Sequence, residues 1–128
     1  MKRGDLEHLL RAAGTILGTD RIIVVGSQSI LATIPDVSLP PEATMSVEAD
    51  LIPLEGTEAL ADEIDGAIGE ASMFHETFGV YAQGVGYETI TAPAGWRERL
   101  IEYSNENTGG VTALCLEIND LWLTKLAA

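Results

Sequence analysis

The 128-residue chain reads as a single α+β domain, a mixed β-sheet with flanking helices. Three observations predict this. Short apolar runs of strand length, Ile22–Val25 and Thr112–Glu117, are bounded by turn residues. Segments with apolar residues at helical spacing lie between and around them. The stretch from Arg21 to Leu54 joins the two kinds: a buried strand, a Gly-Ser step, a short helix, a Pro-rich excursion, and a second strand ending in two acids, Glu48 and Asp50.

Taken in order, Asp5–Leu17 is expected to be an amphipathic helix, with Leu6, Leu9, Leu10, Ala13, Ile16 and Leu17 on one face and Gly18 as its stop. His8 lies off that stripe and reads as solvent-facing. After the strand Ile22–Val25, Gly26 lets the backbone turn sharply and Ser27 is placed to cap the next helix. Its free amides would favour an anion. Pro35, Pro40 and Pro41 make Thr33–Thr44 a loop, and Pro53 ends the second strand.

Gly56–Ala71 is predicted helical, with Leu60, Ile64, Ala67 and Ile68 inward and its acids on a solvated face. Ser72 starts a short helix carrying Met73, Phe74 and Phe78, with His75 partly buried. Gly79–Thr91 reads as two short strands or a hairpin, and Trp96–Tyr103 as an edge strand. Asn105–Gly110 is a loop, and Thr112–Glu117 is a strand with Cys115 buried inside it. Asn119-Asp120 is expected to cap a final helix, Ile118–Ala128. That helix stops at Leu-Ala-Ala without a C-cap signal, which predicts a natural product that continues beyond it.

Net charge is −13, which disfavours a phosphate-backbone partner, and Arg97, Arg99 and Lys125 are too few for a nucleic-acid groove. No apolar run approaches the roughly 20 residues of a membrane span. The N-terminus is not a signal peptide, and one cysteine suits a reducing cytoplasm.

Residues two apart on a strand share a face, so Glu48 and Asp50 point the same way and repel unless a cation sits between them. A cation site beside an anion site is what a metal-bound nucleotide requires. The order of strand, Gly-Ser, helix, loop and acid-x-acid strand resembles the nucleotidyltransferase superfamily. VVGSQSILA, GWRERL and CLEINDLWLTKLAA are similar to a bacterial family of nucleotidyltransferase-like proteins related to the AbiEii/MenT toxin–antitoxin enzymes. The likeness covers most of the chain.

In the AbiEii type an Asp-x(3,4)-Lys motif follows Gly-Ser and Asp-x-Asp, and Gly26-Ser27, Glu48-x-Asp50 and Asp120-x4-Lys125 match in that order. The first acid here is Glu, and the gap before it is longer. The resemblance implies Mg²⁺ on Glu48 and Asp50. Glu117 ends a strand expected to neighbour the acid-bearing strand, which makes it a candidate third ligand. It implies NTP phosphates on Gly26, Ser27 and Lys125, and Asp120 orienting Lys125 or capping its helix. The implied acceptor is RNA or protein, and a cognate protein partner is implied by the toxin–antitoxin relatives. Two other classes stand beside an active transferase: a non-catalytic nucleotidyltransferase-like binding or regulatory domain, and a structural α/β interaction domain whose acids are incidental.

Overall fold

The computed structural model describes residues 1–127. Among them are four α-helices, α1 (Arg3–Leu17), α2 (Glu58–Ile68), α3 (Met73–Phe78) and α4 (Ile118–Ala127). One sheet holds five strands: β1 (Arg21–Val25), β2 (Glu48–Pro53), β3 (Tyr81–Gly84), β4 (Ile101–Tyr103) and β5 (Thr112–Cys115). The α+β class with a mixed sheet and flanking helices is what the sequence predicts.

The strands lie in the order β3-β2-β1-β5-β4. β1 is antiparallel to β2 and parallel to β5, β2 is parallel to β3, and β4 is antiparallel to β5. This pattern brings the C-terminal ends of β1 and β5 to the same edge as the starts of β2 and β3. That edge carries the site.

Alternation along the strands divides the interior into two layers. On one face Ile22, Val24, Leu51, Ala82 and Cys115 meet Leu6, Leu9, Leu10 and Ala13 of α1 and Ile64 and Ile68 of α2. Leu6, Leu9 and Leu10 are fully buried, and each such side chain contributes roughly 1.5–3 kcal/mol. On the other face Ile23, Val25, Ile52 and Leu114 are covered by Val85, Tyr87, Ile90 and Trp96 and by Leu121 of α4. No helix among the described residues is long and apolar enough to cross a membrane.

Several elements differ from the sequence reading. The acids open β2 rather than close it, because β2 starts at Glu48 and its apolar half, Leu51 to Pro53, lies deeper in the sheet. Gly79–Thr91 forms one strand and a 3₁₀ turn, Tyr87–Thr89, rather than two short strands or a hairpin. β3 joins β2 in parallel, so the chain leaves the sheet after Gly84 and crosses its other face. The Tyr87 hydroxyl pins that crossing by donating to the Leu54 carbonyl at 2.6 Å. Gly84 is required where it sits, since a Cβ there would stand 2.2 Å from the Ala61 carbonyl oxygen. In α2 the inward residues are Ala61, Ile64 and Ile68, while Ala67 is exposed. His8 is half-buried rather than free, its ring packed against Phe74 and Phe78.

Candidate functional site

The register of β1 on β2 sets Val25 opposite Asp50. The next residue, Gly26, has φ 74° and ψ −168°, a conformation open in practice to glycine alone. It also lies hard against the acid, for a Cβ at Gly26 would stand 2.8 Å from Asp50 Oδ2. One glycine thus supplies both the turn and the room for the carboxyl.

Glu48 and Asp50 share the face that also carries Val25 and Ile52, as their spacing requires. β3 brings Tyr81 beside Glu48 and Gln83 beside Asp50. The Tyr81 hydroxyl donates to Glu48 at 2.8 Å and reaches Glu70 at 3.4 Å. These acceptors push the Tyr81 hydroxyl up to about 12, the hydrogen bond to Glu48 acting most strongly. Burial, then a hydrogen bond to Glu48 and that residue's charge, raise Asp50 from 3.8 to about 7. Two carboxylates side by side on one strand face repel unless a proton or a cation offsets their charge. Asp50 Oδ1 is buried and has no hydrogen-bond partner.

That unsatisfied oxygen, the neighbouring acid and the space kept by Gly26 fit a divalent cation of the Mg²⁺ type. Such an ion takes one or two carboxylates and fills its other positions with water or phosphate oxygens. A third acid does not complete the site: the described residues include no group of three or more His, Cys, Asp or Glu placed to hold a metal.

The Gly-Ser step runs into a six-residue 3₁₀ helix, Ser27–Ala32. Ser27 does not cap it. Gly26 occupies the cap position with no side-chain bond, which leaves the Ser27 hydroxyl exposed and free for another partner. That partner is Lys125, whose Nζ donates to Ser27 Oγ at 3.4 Å. Ser29 instead anchors the turn from beneath, its Oγ donating to the Val24 carbonyl at 3.0 Å. Clefts open on both sides of Gly26-Ser27. One, of about 250 Å³, is lined by Gly26, Asp50, Gln83, Thr89 and Thr124. The other, of about 260 Å³, is lined by Ser27, Ser46 and Lys125 among others.

Gly26, Ser27, Glu48, Asp50 and Lys125 are therefore brought to one edge of the sheet. The chain matches no protein-family model, and no curated protein or solved structure matches it. Assignment of chemistry rests on the site itself.

Glu117 and Asp120 are placed differently from expectation. The strand bearing Glu117 was expected beside the acid-bearing strand, but β5 pairs with β1 and β4. Glu117 lies past the end of β5 and caps α4, accepting from Asn119 N and Nδ2 at 3.0 Å each and from Asp120 N at 3.4 Å. Asp120 is 3% exposed and takes a two-pronged bond from Arg99 at 2.9 and 3.0 Å. Its carboxylate neutralises Arg99 rather than orienting Lys125, and the cap role passes to Glu117.

Tyr81 and Gln83 are the site residues that sequence reasoning missed. Their two-residue spacing matches that of Glu48 and Asp50, but only a parallel pairing of β3 on β2 sets the two pairs side by side.

Proposed function

We propose that this chain is a nucleotidyltransferase-like domain that binds a metal-complexed NTP at the β1–β2 edge and transfers its nucleotidyl group to an acceptor, RNA or protein. The observation that carries the proposal is the buried, unpartnered oxygen of Asp50, held beside Glu48 and one residue from the Ser27–Lys125 contact. A cation position and a phosphate position thus adjoin across Gly26.

Glu48 and Asp50 would hold Mg²⁺, which when bound gathers the triphosphate, neutralises its charge and activates the acceptor oxygen. Lys125 and the Ser27 hydroxyl offer a charge and a donor to the terminal phosphates. Tyr81 fixes the Glu48 carboxylate by donating to it, so that acid meets a cation without first being ordered. Val85 and Ile90 form an apolar wall of the cleft beside Asp50.

A second reading, a non-catalytic nucleotide-binding or regulatory domain of the same fold, is favoured by Gln83. It occupies the strand position facing Asp50 where a further acid would enlarge the metal site. Calorimetry with MgATP, MgGTP, MgCTP and MgUTP tests the common core of both readings. Binding of at least one NTP, abolished by Asp50→Ala and by chelation of the metal, is the expected result. No binding of any NTP in the presence of Mg²⁺ would overturn it. Release of pyrophosphate with an added RNA or protein acceptor then separates the transferase from the binder.

A further inference from the structure

Among the described residues, Ala71 is the one residue other than glycine with a positive φ, 67°. That left-handed conformation crowds a Cβ against the backbone and persists only where the surroundings hold it. Ala71 is exposed, so burial does not hold it. Hydrogen bonds do. The Ala71 N–H donates to His75 Nδ1 at 3.0 Å, and the Ser72 N–H donates to the Gly69 carbonyl at 3.1 Å. A ring nitrogen that accepts an N–H carries no hydrogen of its own, so this contact selects the imidazole tautomer with hydrogen on Nε2.

His75 is itself firmly placed. Its N–H donates to the Ser72 hydroxyl at 3.1 Å, and its carbonyl accepts from the Gly79 N–H at 2.9 Å. Phe74 and Phe78 of the same helix pack on His8 of α1. The His75 ring meets the Tyr81 ring instead, with centroids 4.6 Å apart. Tyr81 donates to Glu48 at 2.8 Å, and Glu70, the residue before Ala71, lies 3.4 Å from the same hydroxyl. The turn Gly69–Ser72 therefore sets a carboxylate near the Tyr81 hydroxyl and leads into the helix that sets an imidazole against the Tyr81 ring. Strain kept at an exposed turn is accounted for if the groups it places serve the site.

We propose that His75 is a positioning residue for the acid pair. Its ring holds Tyr81 against Glu48, and its Nδ1 holds the strained Ala71 turn that places the ring. Groups that orient a metal ligand from behind act in this way, by packing and hydrogen bonding rather than by touching the ion. The inference rests on the reading of Glu48 and Asp50 as cation ligands, and it gives α3 a part in ordering them.

The test separates ring, acceptor and turn. It uses proton NMR of the metal-free protein in chelator, and calorimetry with Mg²⁺ alone. Wild type should show Overhauser contacts between the Tyr81 ring and the Glu48 methylenes. His75→Ala should lose them and bind Mg²⁺ about tenfold more weakly. His75→Phe keeps a ring but offers Ala71 no acceptor, and it should weaken both. Adding Ala71→Gly to His75→Phe removes the strain, and should bring contacts and affinity back to within about twofold of wild type. Circular dichroism checks that each variant is folded. Unchanged contacts or unchanged Mg²⁺ affinity in His75→Ala would overturn the proposal. So would a His75→Phe protein that matches wild type, or one that Ala71→Gly fails to restore. Were wild type to bind no Mg²⁺, the cation reading would fall, and the Overhauser contacts would still decide whether His75 places Tyr81.

Discussion

Replacing Asp50 with asparagine should make the metal-free protein more stable at alkaline pH. Asp50 is raised from 3.8 to about 7 in the folded state, first by burial and then by Glu48. Between those values the native protein holds a proton that the unfolded chain has released. Stability is therefore fullest below about pH 4, falls as pH rises to about 7, and stays low above that. Fully expressed, such a displacement amounts to about 4 kcal/mol. The carboxyl is partly open to water, and screening reduces the figure to roughly 2 kcal/mol. An amide at position 50 keeps the shape and donates a hydrogen bond to Glu48 without carrying charge. The Asp50→Asn protein should gain roughly 1–2 kcal/mol over wild type at pH 8 and little at pH 4.5. Urea unfolding followed by Trp96 and Trp122 fluorescence, in chelator, measures both. Mg²⁺ added at pH 8 should then stabilise wild type and leave the variant unchanged. A variant less stable than wild type at pH 8, or one offset equally at both pH values, would show that the two acids do not oppose each other in the fold.

Gly26→Ala should cost roughly 1–3 kcal/mol from the positive φ alone, and it should abolish Mg²⁺ and NTP binding because the new Cβ meets Asp50; urea midpoints and calorimetry read the two effects. Glu117→Ala should remove a helix cap at a cost of about 1 kcal/mol with Mg²⁺ affinity unchanged, whereas Glu48→Ala should abolish the affinity in the same titration. Cys115 is fully buried and its thiol is pushed by burial up to about 12. The native protein should therefore resist alkylation at pH 8, and intact mass should show a single adduct only in denaturant.

The sequence disclosed what local pattern governs. The i, i+3, i+4 spacing of Leu6, Leu9, Leu10 and Ala13 places α1, and the apolar run Ile22–Val25 places β1, each within two residues of its observed start. The Gly26-Ser27 and Glu48-x-Asp50 pairs were legible as well, because a turn glycine and two acids on one strand face are local facts. What stayed hidden was decided by pairing. Nothing local in Tyr81-Ala82-Gln83 says that it lies parallel to β2, so the residues beside the acids could not be named. The same ignorance of strand order placed Glu117 next to the acids. Asp120 was misread for another reason: an acid near a helix start looks like a cap, and its partner Arg99 lies in a separate turn.

The placing of β1 at the centre of the sheet has a consequence for how the molecule is made. Its partner on one side, β2, is the next strand in the chain, whereas its partner on the other side, β5, is made only after β2, β3 and β4 have left the ribosome. Until then Ile22 to Val25 present an unpaired apolar edge, the kind of edge that templates aggregation. Closing the long β1–β5 connection is also an entropically slow step. Nascent chains stalled before Thr112 should therefore be the most chaperone-dependent species in the life of this protein, and the central strand its point of greatest vulnerability during synthesis.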